Sequence, residues 1–310
     1  VERVTRQAPD TLLLAEAFWM LEGYFIRELG MHRVYNSAFM HMLRDEENAS
    51  YRLLMKQALE TEPEVLKRLV NFMTNPDEKT AIEQFGDGDK YFGICTLMVT
   101  LPGLPMFGHG QIEGYREKYG MEFRSPRWEE QPNLQLIQAH ERFIFPLLQR
   151  RSLFCGVEHF ALYDFFEADG RVNENVFAFS NRRDEERALV VYHNRYAETQ
   201  GWLRTSVARR KGGELRQESL AEALDLPEGG YVIFRDLVSG LETLHSCREL
   251  REKGLYLELR AYQRCVFVDW RFVEGEQWEA LYRFLAGRPV PSIEEHYRSY
   301  FQRTDQVNFA

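Results

Sequence analysis

Two carboxylic acids, Glu16 and Asp77, each stand just beyond a short apolar run. Leu12-Leu13-Leu14-Ala15 leads into Glu16, and Leu69-Val70-Asn71-Phe72-Met73 is separated from Asp77 only by Thr74-Asn75-Pro76. A continuous apolar run is what a strand buried on both faces requires. An acid at the end of such a strand is placed to move a proton or to stabilise developing positive charge. Glu16 is followed by Phe18 and Trp19, and rings that exclude water disfavour the charged form of a carboxyl group, which equips it as a general acid. Taken singly, each acid also has an ordinary reading. Glu16 would be a surface residue at a strand end, and Asp77 a turn or capping residue within Asn75-Pro76-Asp77-Glu78.

The elements that must position these acids alternate in kind. Leu12 to Ala15, Val34 to Met40, Leu69 to Met73 and Leu104 to Phe107 read as strands. Helices are expected over Met20–Leu29, Glu46–Leu59, Pro63–Arg68, Asp87–Leu101 and Asn133–Gln149. From about Phe154 to Trp270 the texture changes to short runs broken by Gly, Asn and Asp turns, as in antiparallel sheet. Strands are expected at Asn175–Ser180, Arg187–Tyr192, Tyr231–Phe234, Leu255–Leu259 and Arg264–Val268. The tail from Glu276 to Phe301 reads as helix interrupted at Gly287–Pro291.

Three segments together resemble the alpha-amylase family of glycoside hydrolases. Glu16-Ala17-Phe18-Trp19 is similar to the family's fifth-strand motif, and Asn71 to Asp77 to its seventh-strand motif. Thr100 to Gly114 resembles, without gaps, the stretch through the eighth strand. Val176 to Arg182 and Arg235 to Gly240 resemble pieces of the C-terminal β domain. The resemblance implies an α/β fold: the C-terminal half of a (β/α)8 TIM barrel over 1–152, an antiparallel β-sandwich over 153–272 and a helical tail over 273–310. It implies hydrolysis of α-glucosidic bonds in oligo- or polysaccharides by retention. Glu16 would be the acid/base and Asp77 the stabiliser of the oxocarbenium-like transition state, with Phe18, Trp19 and Asn75 meeting substrate. No cofactor or metal is implied. A transglycosylase, a phosphate-dependent glycosyltransferase and a non-catalytic carbohydrate-binding relative are the alternatives.

The family's retaining mechanism also needs a nucleophile on the fourth strand, held about 5–5.5 Å from the acid/base. No strand can precede Glu16 here in the required number, so an inactive C-terminal fragment is expected, with the N-terminal half of the barrel as its missing partner. Pro76 is a second departure: most family members carry His there, in contact with sugar. Asn75 or His32 could take over that contact.

Composition narrows the partners. A net charge of −9 argues against nucleic acid, and no apolar run is long enough to cross a membrane. The cysteines Cys95, Cys155, Cys247 and Cys265 form no C-x-x-C pair; their apolar neighbours suggest buried thiols in a reducing, cytoplasmic setting, and their even number leaves disulfides open. Arg209-Arg210-Lys211 reads as a solvated loop, Asn48-Ala49-Ser50 as an incidental glycosylation sequon, and Asp87 and Asp89 as a polar turn rather than a calcium loop.

Overall fold

The computed structural model describes residues 1–17, 22–118 and 124–307. After α1 (Glu2–Gln7) come β1 (Leu14–Ala15), α2 (Glu22–Arg27) and β2 (Arg33–Tyr35). Then follow α3 (Ser37–Arg44), α4 (Asn48–Thr61), α5 (Glu64–Arg68) and β3 (Leu69–Phe72). Next are α6 (Ala81–Phe85), α7 (Asp89–Thr100), β4 (Leu104–Met106), α8 (Leu134–Phe143), α9 (Phe145–Gln149) and α10 (Arg151–Phe154). Strands β1 to β4 pair in chain order and in parallel, Ala15 beside Val34, Tyr35 beside Val70, and Phe72 beside Met106. Among the described residues, the outer edges of β1 and β4 have no partner.

Two expectations shift here. The run from Val34 to Met40 is strand only to Tyr35, because Asn36 caps a helix: its side chain accepts from the Phe39 amide at 3.3 Å. Phe39, Met40 and Leu43 then fall on one buried helical face. The expected helix over Asn133–Gln149 is broken at Ile144, two residues before Pro146, which has no N–H to continue the ladder. Helix α7 forms as expected and is buried from Tyr91 to Thr100 on every side, so it shows no amphipathic stripe.

The rest of the chain is β5 (Ala161–Glu167), β6 (Val176–Arg183), β7 (Glu186–His193), β8 (Thr199–Ser206), β9 (Arg209–Lys211), β10 (Glu214–Arg216), α11 (Leu220–Ala223), β11 (Tyr231–Asp236), β12 (Glu242–Ser246), α12 (Cys247–Lys253), β13 (Leu255–Leu259), β14 (Arg264–Val273), α13 (Glu276–Leu285) and α14 (Ile293–Val307). Instead of two stacked sheets, eight of these strands form one antiparallel sheet in the order β12-β11-β14-β7-β6-β5-β8-β13. It curls because Leu255 and Leu259 of β13 and Val232 and Phe234 of β11, from opposite ends of that order, share one core. The alternation in β7 is instructive. Leu189 and Val191 enter that inner core, whereas Val190 and Tyr192 join the core of the parallel region. Both faces are therefore apolar, and the strand reads as a continuous run.

The run Arg209-Arg210-Lys211 is a strand, not a loop. It pairs with β10 across Gly212 and Gly213, both at positive φ as a tight hairpin turn requires. Asn48 is 1% exposed and holds Asn175 and Asn194, which closes the sequon to modification. Cys95, Cys247 and Cys265 are buried thiols, but Cys155 is exposed. No helix among the described residues is long and apolar enough to cross a membrane.

Polar clamps join the two regions. Arg52 of α4 is fully buried and donates to Asp164 at 2.6 Å, to Glu174, and to the Tyr163 and Val176 carbonyls of the antiparallel sheet. Asn194 donates back to the Leu43 carbonyl and to Asn48 Oδ1. The tail is anchored differently. Glu242, 2% exposed, accepts from Arg235, Arg271 and the Ile293 amide, while α13 and α14 pack on Ile233 and Leu244.

Candidate functional site

The candidate site lies at the C-terminal ends of the parallel strands. Ala15 and Ala17 are buried, and Glu16 between them is exposed, as strand alternation dictates. Ser37, opening α3, donates to the Ala17 carbonyl at 3.4 Å and ties the exit of β1 to that of β2.

Asp77 is held by a loop that combines local bonds with one distant one. Asn75 Oδ1 accepts from the Asp77 and Glu78 amides, each at 3.0 Å, an Asx turn that fixes the backbone of the acid. Thr74 Oγ1 donates to the Lys79 carbonyl at 2.8 Å, and Lys118 Nζ donates to the Asp77 carbonyl at 2.6 Å. Gly108 must be glycine because a Cβ there would lie 2.3 Å from Thr74 Cγ2 and 3.1 Å from its carbonyl oxygen. Thus the stretch after β4 presses directly on the loop that carries Asp77. Beneath it, Asn36 donates to Asn71 Oδ1 at 2.8 Å, and Asn71 donates to the Pro102 carbonyl at 3.2 Å. Those buried amides lock the ends of β2, β3 and β4 together.

Tyr35, the last residue of β2, reports on both acids. Its ring lies 5.1 Å from that of Phe72. Its phenol is held above the ordinary tyrosine value, first by burial and then by the negative charges of Glu16 and Asp77. Strand β2, which Tyr35 ends, lies between β1, which leads into Glu16, and β3, which leads into the Asp77 loop, so both charges come from the same end of the sheet. Sequence reasoning passes over Tyr35 because a tyrosine within an apolar run looks like core. Only the parallel register sets it between the two acids.

The other expected site residues fall differently. Phe18 and Trp19 lie outside the described residues. The described residues alone do not give Glu16 the dry surroundings expected of it, because its side chain is exposed at the open edge of β1. Asn75 is buried and spends its carbonyl oxygen on the loop. His32 precedes β2 and so sits at the opposite end of the sheet, where its Nδ1 accepts from the Leu13 amide at 3.0 Å; it is not placed to make the sugar contact expected of it beside Pro76. Asp89 begins α7, and no cluster of metal-ligating side chains occurs among the described residues. Two cavities of about 860 and 730 Å³ open on the surface, and neither is lined by Glu16 or Asp77. The second is mostly apolar and lies among α2, α3, α4 and α5.

No family model matches the sequence, and no curated protein matches it. Solved structures do. An alpha-amylase from Geobacillus thermoleovorans, complexed with acarbose, aligns over 87% of this chain and 55% of its own, with TM-score 0.56 and 13% identity. The native debranching enzyme of Nostoc punctiforme aligns over 86% of this chain and 54% of its own, with TM-score 0.58 and 14% identity. A noncanonic maltogenic alpha-amylase from Thermotoga neapolitana aligns over 88% and 58%, with TM-score 0.56 and 11% identity. The chain thus has the fold of alpha-amylase-type glycoside hydrolases and spans about 55% of the length of those it matches.

Proposed function

We propose that the chain supplies the acid/base half of a glycosidase active site acting on α-glucosidic bonds of oligo- or polysaccharides. The observation that supports this reading is the placement of Glu16 and Asp77 beyond the C-terminal ends of the parallel strands on either side of the one that ends in Tyr35, in a chain with an amylase-type fold. Glu16 protonates the leaving oxygen and then activates water. Asp77 stabilises the positive charge of the oxocarbenium-like transition state. The amide nitrogen of Asn75 is directed to sugar, while its oxygen keeps the Asp77 loop in shape. Phe18 and Trp19 line the sugar site and dry the carboxyl group of Glu16.

The four parallel strands are read as the C-terminal half of a (β/α)8 barrel over 1–152, followed by the antiparallel domain over 153–272 and the tail over 273–310. Retention needs a third carboxylate opposite Glu16, about 5–5.5 Å away. That group belongs on a strand paired to the open edge of β1, so this chain alone is inactive and becomes active once the N-terminal half of the barrel completes the sheet. The test is hydrolysis of maltooligosaccharides by protein carrying all eight strands, with and without Glu16→Gln. Loss of about 100-fold to 10,000-fold in kcat is expected. Retained activity would remove Glu16 from its role.

A further inference from the structure

The larger cleft, about 860 Å³, opens where the start of α7 meets the β13–β14 turn and the entry to β8. None of its lining residues belongs to the Glu16–Asp77 site. Arg264 forms part of its wall although the residue is only 6% exposed. Its guanidinium lies over the rings of Phe92 and Phe143, at 5.3 and 5.2 Å.

What it lacks is an acceptor. Arg52, Arg187 and Arg209 are equally buried, and each donates to carbonyls or carboxylates. The Arg264 side chain makes no hydrogen bond among the described residues. Its Nε is enclosed without a partner, as is that of Arg209, but the terminal nitrogens of Arg264 have only one ion pair among the described residues, a loose one to the exposed Asp89 at 3.7 Å. Burying a guanidinium with unused donors is costly, and the cost is recovered when a ligand brings acceptor oxygens.

A second feature points the same way. Helix α7 is 12 residues long, its first residue lines the cleft, and no side chain caps its first turn. Its unsatisfied amides favour an anionic group there. Exposed carboxylates surround this spot, however: Asp89, Glu198 and Glu258 line the cleft against Arg260 and Arg264. A compact dianion meets repulsion from them, whereas hydroxyl groups find acceptors.

We propose that this cleft binds a small hydroxyl-rich ligand bearing one singly charged anionic group, a sugar acid. The anionic group sits on Arg264 and the first turn of α7, and the hydroxyls donate to Glu198 and Glu258. This site is separate from the one that would cleave sugar and does not depend on that reading.

The test is calorimetric titration of the chain with glucuronate, glucose 6-phosphate, glucose and inorganic phosphate. Glucuronate should bind at least about tenfold more tightly than glucose, phosphate or glucose 6-phosphate. Arg264→Gln should lower that affinity by about tenfold or more. Asp89→Asn, at an exposed residue, should raise it several-fold by removing a repelling charge. Failure of glucuronate to bind, or phosphate or glucose 6-phosphate binding as tightly, overturns the proposal. So does unchanged affinity in a folded Arg264→Gln variant. If that variant does not fold, unchanged affinity in Asp89→Asn overturns it instead.

Discussion

The two sheets use their strands in opposite ways. Strands β6 and β7 run eight residues each, and seven of the eight in β7 are buried. In the parallel sheet β1 has two residues and β3 four, and the candidate acids lie beyond the strand ends, exposed. The antiparallel sheet thus supplies core on both faces, while the parallel sheet supplies positions from which side chains can react. Among the described residues, neither the Glu16 nor the Asp77 carboxylate is tied up in a hydrogen bond or ion pair, so both remain available to a ligand under the proposed function. The regions are coupled through α4 and α7, so the rigid one steadies the reactive one.

That coupling can be broken in graded steps. The largest effect is expected at the Arg52 clamp. Replacing both Asp164 and Glu174 by Ala leaves a buried cation beside Lys56 with only two carbonyls to meet it. Because both carboxylates are partly solvated, the cost falls at the low end for a broken buried pair, about 3 kcal/mol. Arg52→Met, which removes the charge itself, should cost less. Urea unfolding of the two variants checks the order, and the reverse order would show that the clamp acts by packing rather than charge.

Gly93→Ala tests the contact between α7 and β7. Alanine favours a helix over glycine by up to about 1 kcal/mol. The added Cβ, however, would lie 2.0 Å from the Tyr192 ring, which is buried and cannot yield. Overlap should win, with a net loss of about 2 kcal/mol by thermal unfolding. A stabilised variant would mean that the two regions are not closely packed there. Glu242→Gln should have the smallest global effect, about 1–2 kcal/mol, since one charge-assisted cluster is weakened. Its signature is regional: amide exchange should quicken in α13 and α14 while β6 and β7 keep their protection. Uniform loss would show that the tail is part of the main cooperative unit.

Much of this contrast is legible in the sequence. Although Leu12 to Ala15, expected to be buried on both faces, is strand only at Leu14 and Ala15, with Leu12 and Leu14 exposed at the open edge, the run Leu69 to Met73 and the Pro-Gly stop after α7 hold their place because short apolar runs and turn residues act locally. What depends on distant partners does not. Asn36 turns an expected strand into a helix start by a single cap. Strand β8 gives no clear signal because it is polar and contains Gly201, which is needed where a Cβ would lie 2.3 Å from the Phe166 carbonyl oxygen. The sandwich becomes one curled sheet because pairing order is not written in any one strand. Arg52 and Arg264 look like surface residues, since nothing local tells a buried arginine from a solvated one.

The central claim is that Glu16 and Asp77 flank Tyr35 at one end of the parallel sheet. Burial and both negative charges hold its proton on, so neutralising either acid must make the phenolate easier to form. NMR titration of ring-labelled tyrosine, with the Tyr35 signal identified by its loss in Tyr35→Phe, measures this directly. The account predicts a Tyr35 pKa above the ordinary value that falls in Glu16→Gln, falls in Asp77→Asn, and falls further in the double variant. A Tyr35 pKa that ignores either substitution would contradict the convergence of the two acids.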